Sequence, residues 1–195
     1  ALLRASAFGD IKIMVPLVTN LDEIRQVKAL VKECMADLDA RGVSYNKDIE
    51  VGTMIETPAA SLIADDLAAE CDFFSIGTND LIGYTMCADR GNDKVAYLYE
   101  VYQPAVLRSL KRIIEEGNKA GIMVGMCGEA AADPLLIPVL LSFGLGEFSV
   151  SAPSILRTRR IISEWTKAEA DALVEKVMKL KTATEVKAML QAAAK

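Results

Sequence analysis

Asp72-Phe73-Phe74-Ser75-Ile76-Gly77-Thr78-Asn79-Asp80 opens as a short apolar run and closes on an amide and a carboxylate. A run of that length, rich in aromatic and β-branched residues and bounded by turn residues, reads as a buried strand over Asp72–Ile76. Four similar runs accompany it, at Ile11–Val18, Ile49–Ile55, Ile122–Met126 and Glu147–Val150. Helix-start signals lie between them. Asn20 with Glu23 makes a capping-box pattern ahead of a helix from Leu21 to about Ala40. Thr57-Pro58 opens a stretch through Glu70, Pro104 opens one to about Ala120 that ends at Gly121, and Asp133-Pro134 opens another. After the last run, Pro153–Trp165 reads as a helix, and Thr166 with Glu169 and Thr182 with Glu185 announce two more.

Strands that alternate with helices form βα units, whose sheet is parallel and covered by the helices. Right-handed crossovers then bring the C-terminal ends of all strands to one rim. The expected fold class is α/β, a partial (β/α)8 barrel made of about its last five strands and closing on C-terminal helices. A whole barrel has eight strands, and the chain begins at Ala1-Leu2-Leu3-Arg4 without a methionine. Residues 1–195 are therefore expected to be a fragment whose earlier strands lie elsewhere. A complete five-stranded doubly wound sheet is the alternative that spacing alone leaves open.

Composition narrows the function classes. The 195 residues are 52% hydrophobic and 25% charged, as expected of a chain able to bury one core. With 22 basic against 27 acidic residues and a net charge of −5, there is no basic footprint for a nucleic-acid partner. No apolar run is long enough for a membrane span, and no signal segment opens the chain, so a cytoplasmic location is expected. The four cysteines, Cys34, Cys71, Cys87 and Cys127, lack zinc-type spacing and are expected to be reduced thiols. Histidine is absent, which removes the usual base of serine and cysteine hydrolase triads.

Three strand ends finish on polar residues: Glu56, then Asn79 with Asp80, then Cys127 with Glu129. In a parallel α/β architecture these ends face the usual ligand site. Neighbouring strands lie about 4.8 Å apart, so Glu56 and Asp80 can reach one cation, and two carboxylates with open positions suit Mg2+ better than Zn2+. Each residue also has an ordinary explanation. A glutamate before Thr-Pro favours a helix N-terminus, and Asn-Asp suits a turn. Cys127 is a small residue in an apolar setting, and Arg90 is a solvated loop residue beside Asp89.

The order of local strings adds to this reading: Ile55-Glu56-Thr57-Pro58-Ala59-Ala60, Phe74-Ser75-Ile76-Gly77-Thr78-Asn79-Asp80-Leu81, Ala88-Asp89-Arg90, and Gly125-Met126-Cys127-Gly128-Glu129. Across nearly its whole length the chain resembles enzyme I of the bacterial phosphoenolpyruvate-dependent sugar phosphotransferase system, in its C-terminal phosphoenolpyruvate-binding domain. The resemblance implies that Glu56 and Asp80 bind Mg2+, that Asn79 and Arg90 hold the substrate phosphate, and that Cys127 protonates the enolate carbon of pyruvate. It also implies a homodimer, and phosphoryl transfer to a histidine on a separate N-terminal domain that serves a small phosphocarrier protein. An open sheet edge adds a further reason to associate. Glu129 matches the family and reads as a support for the Cys127 loop or as a solvated carboxylate.

Two departures stand out. The family also uses arginines from earlier strands that this chain lacks, and Gly83 stands where its pattern has glutamine. Phosphoenolpyruvate synthases and pyruvate phosphate dikinases share variants of the same strings. The alternatives are therefore an ATP-using parent of that kind, or a fragment that serves only in dimerisation and folding.

Overall fold

The computed structural model describes all 195 residues. Its centre is one parallel sheet of five strands: β1 (Ile13–Val15), β2 (Val51–Ile55), β3 (Phe73–Gly77), β4 (Met123–Cys127) and β5 (Glu147–Phe148). All five expected runs hold strands: the first, second and fifth are shortened, and the third and fourth begin one residue later and run one residue further, to Gly77 and Cys127. The first shrinks most, because Pro16 has no N–H to give the ladder and Leu17 turns left-handed at φ 53°.

Spatial order follows chain order, β1-β2-β3-β4-β5, with every neighbouring pair parallel. A doubly wound sheet reverses its order at a switch point. No reversal occurs here, so that alternative falls away.

The two faces of the sheet differ. Thr53, Ile55, Phe74, Ile76, Val124 and Met126 are almost fully buried, whereas Met14 and Met123 on the opposite face remain 41% and 42% exposed. Helices cover the first face, as the sheet register and the close approach of Gly117 to Val124 and Phe74 require. A parallel sheet with helices along one face and an uncovered inner face is the geometry of part of a (β/α)8 barrel.

The helices run in chain order α1 (Leu2–Ala5), α2 (Leu21–Ala40), α3 (Pro58–Leu62), α4 (Ala64–Ala68), α5 (Thr78–Met86), α6 (Pro104–Ala120), α7 (Ile137–Phe143), α8 (Ile155–Glu164), α9 (Lys167–Val177) and α10 (Ala183–Ala193). The capping boxes at Asn20, Thr166 and Thr182 all form. The α9 and α10 helices bury Leu173, Val174, Val177, Val186 and Leu190 in the main core, so the C-terminal helices belong to the same body as the sheet.

Three expectations need correction. The stretch from Thr57 to Glu70 is not one helix, because it breaks at Ile63 into α3 and α4. The break is stabilised from far along the chain: the Arg112 guanidinium donates to the Ser61 carbonyl at 3.1 Å, the Leu62 carbonyl at 2.8 Å and the Asp65 carboxylate at 2.9 Å. The segment beginning at Pro153 starts as a 3-10 turn over Ala152–Ser154 before α8, and Trp165 is already extended. Asn79 and Asp80 are not in a turn. They occupy the first turn of α5, where a carboxylate is favoured by the helix dipole.

Candidate functional site

The sheet rim gathers its polar groups around the start of α5, because Gly77 ends β3 and Thr78 begins the helix with no intervening loop. Glu56 follows β2 directly and is 3% exposed. One of its oxygens accepts from the Leu17 backbone N–H at 2.8 Å. That amide points inward because Leu17 is left-handed, an uncommon state for a branched residue, and because the Thr57 hydroxyl holds the Val18 carbonyl at 2.7 Å.

The other Glu56 oxygen lies over Gly77, where an added Cβ would come within 2.5 Å of it. Glycine is required here by close approach. We expect Gly77→Ala to lower the unfolding free energy by roughly 1–3 kcal/mol, read by denaturant titration. An unchanged midpoint would show that the carboxylate is free to swing aside.

Asp80 lies near enough for its charge to act on the Glu56 carboxylate. Burial pushes the Glu56 pKa above its ordinary 4.5, the Leu17 N–H partly offsets this, and the Asp80 charge raises it again. A carboxyl whose folded pKa is raised adds stability that is fully present below the unfolded pKa and lost as pH climbs through the folded one. Metal-free Glu56→Gln is therefore expected to gain stability relative to the parent chain as pH is raised from about 4.5 to 7. Parallel melting curves across that range check it, and a constant difference would contradict it.

Glu56, Asp80 and Arg90 take part in none of the protein's ion pairs. Two facing carboxylates without a protein cation between them suit a divalent, oxygen-seeking ion. No third His, Cys, Asp or Glu joins them, so the remaining positions would fall to water or substrate oxygens.

Beside this pair lies an open cavity of about 390 Å3, bordered by Asn79, Asp80, Gly83, Arg90 and Tyr99 among others. Arg90 and Asn79 therefore share one hollow. Glu56 and Cys127 lie outside it, at the ends of the strands on either side of β3. Gly83 has room for a side chain, since an added Cβ would meet the Ala88 carbonyl oxygen only at 3.4 Å and the Tyr99 ring at 3.7 Å.

Cys127 ends β4. Its thiol donates to the Ile76 carbonyl at 3.6 Å, and its sulfur accepts from the Ser75 hydroxyl at 3.6 Å. The backbone turns sharply after it at Gly128, φ 95°, where a Cβ would strike the Thr78 hydroxyl at 2.5 Å. Thr78 in turn donates to the Cys127 carbonyl at 3.1 Å. These contacts hold the Cys127 loop, while Glu129 is exposed and makes none of them. No cysteine is paired in a disulfide.

Leu17, Ser75, Gly77 and Tyr99 escaped the sequence reading. Each acts through a backbone group or a contact between distant segments. Only the β-strand alternation, which puts Ser75 on the face of Met54 and Gly125, offered a hint.

Residues 1–167 match the family described as PEP-utilising enzyme, PEP-binding domain. The chain is 53% identical over 186 residues to the phosphoenolpyruvate-protein phosphotransferase of Bacillus sp. (strain S), covering 95% of this chain and 32% of that protein. It is 50% identical over 191 residues to the protein of that name from Bacillus subtilis (strain 168), covering 98% of this chain and 34% of the relative. The chain thus spans about a third of the length of the curated relatives it matches. Among solved structures, a citrate lyase from Burkholderia xenovorans LB400 superposes with a TM-score of 0.60 at 16% identity, over 98% of this chain and 65% of the other. That likeness supports the barrel-type fold alone. No helix is long and apolar enough to cross a membrane.

Proposed function

The chain belongs to the PEP-utilising enzymes through their PEP-binding domain, and from that premise we propose that residues 1–195 are the C-terminal part of the phosphoenolpyruvate-binding barrel of an enzyme I. In this reading Glu56 and Asp80 hold Mg2+, Asn79 and Arg90 hold the substrate phosphate, and Cys127 is the acid. The observation that carries it is the buried Glu56 carboxylate set against Asp80 with no protein cation between them, beside a hollow that Arg90 and Asn79 share.

The bound ion would supply positive charge to the phosphoryl group and to the enolate left behind. Arg90 presents a planar fork matched to phosphate oxygens, and Asn79 offers an amide from the same helix turn. Phosphoryl transfer breaks the bond between phosphorus and the enol oxygen and forms one between phosphorus and a histidine nitrogen on an N-terminal domain. The enolate of pyruvate then takes a proton at its methylene carbon, which Cys127 delivers from its place at the end of β4. Ser75, already donating to the sulfur, would steady the thiolate that remains.

The same proposal includes onward transfer to a small phosphocarrier protein as the first step of sugar uptake, a homodimer, and a cytoplasmic location. The names of the relatives favour a phosphotransferase over a synthase or dikinase.

Calorimetric titration of the full-length enzyme with phosphoenolpyruvate tests the reading. Saturable heat with Mg2+ present, lost on adding a chelator, is expected. Equal affinity with and without the metal would refute the role of the carboxylate pair, and no affinity in either condition would refute the substrate.

A further inference from the structure

Tyr99 touches more of the rim than any role assigned so far explains. It follows a 3-10 turn at Ala96–Leu98, and its hydroxyl donates to the Asn79 backbone carbonyl at 2.7 Å. Arg90 borders the same hollow as the Tyr99 ring, near enough for its charge to be felt at that hydroxyl. Asp80 and Glu129 lie near enough for their charges to be felt there as well. The ring borders the hollow that Arg90 and Asn79 share, as well as a neighbouring one of about 260 Å3 lined by Asn79, Glu129 and Asp133.

A phenol hydroxyl has one proton to give and lone pairs that accept. With its proton committed to the Asn79 carbonyl, its oxygen keeps lone pairs for a donor, and the guanidinium across the same hollow can only donate. Arg90 itself sits on an exposed segment between α5 and the 3-10 turn, with no carboxylate paired to it. A long side chain in that position loses rotamer freedom when it closes on an anion, and fastening it beforehand reduces that cost.

We propose that Tyr99 is a positioning residue of this site, whose hydroxyl ties the Arg90 guanidinium to the first turn of α5 so that Arg90 and Asn79 meet the substrate phosphate as one preset unit. The proposal rests on the phosphoenolpyruvate reading above. It assigns Tyr99 no contact with the reacting atoms.

The test is a double-mutant cycle in the full-length enzyme with Mg2+ present, using Tyr99→Phe, Arg90→Ala and both together. Tyr99→Phe removes one oxygen and is expected to raise the KM for phosphoenolpyruvate about tenfold, the effect of losing a hydrogen bond to a charged group. In the Arg90→Ala background the same change should have almost no further effect. Side-chain Nε resonances give a second readout: the Arg90 signal should show an ordered side chain in the parent and a mobile one in Tyr99→Phe, whatever the variant's stability.

A Tyr99→Phe enzyme with the parent's KM, or one that loses the same factor when Arg90 is already gone, overturns the proposal and leaves the substrate reading intact. So does an Arg90 side chain equally ordered in both proteins. A parent enzyme without affinity for phosphoenolpyruvate overturns both.

Discussion

Replacing Asp80 by alanine in the full-length enzyme is expected to lower phosphoryl transfer from phosphoenolpyruvate by on the order of a thousandfold, several kcal/mol of lost electrostatic stabilisation. The direction follows from the rim. Glu56 already spends one oxygen on the Leu17 N–H, so without Asp80 a divalent ion would be left a single protein carboxylate. Asp80 is exposed and occupies the first turn of α5 without anchoring the core, so the variant should fold. Titration with Mg2+ in the presence of phosphoenolpyruvate separates loss of the ion from loss of the fold. Metal-dependent affinity within a factor of two or so of the parent would sink the carboxylate assignment.

The second large effect belongs to Cys127. Cys127→Ala is expected to slow proton delivery to the enolate by roughly a hundred- to ten-thousandfold, the range for loss of a positioned acid. Binding of phosphoenolpyruvate should be nearly unchanged, because the thiol lies outside the hollow bordered by Arg90 and Asn79. Exchange of solvent deuterium into the methyl group of pyruvate reads the proton step by itself. Parent-like exchange in the alanine variant would remove Cys127 from the chemistry. Cys127→Ser should be almost as slow, since a serine hydroxyl fills the same place but is a far weaker acid than a thiol.

The parts of this molecule that were legible in advance are those set by local chemistry. Apolar runs bounded by turn residues marked all five strands, and three capping boxes fell where Ser/Thr/Asn and Glu spacing put them. The strand ends also led to Glu56, Asp80 and Cys127, because a parallel sheet with one-handed crossovers leaves those ends on a single rim. What escaped was set by partners distant in sequence. The break at Ile63 depends on Arg112, and the inward-pointing Leu17 amide depends on Thr57. The α5 helix was missed because Gly-Thr-Asn-Asp has turn chemistry on its own, whereas the dipole at a helix start makes the same Asp80 favourable. Of the two readings of Glu129 the structure has the solvated carboxylate, while Thr78 takes the supporting role at the Cys127 loop.

The strand lengths have a further consequence. The three central strands have five residues each, whereas β1 has three and β5 only two. An outermost strand that short offers few free amides and carbonyls, a poor template for recruiting a foreign strand. Intermolecular β-augmentation, the route to amyloid-like stacking, therefore has little to build on at either flank. In the closed barrel proposed above, both flanks would in addition be paired with the remaining strands, so copies of the protein would meet through side chains rather than by extending one another's sheets.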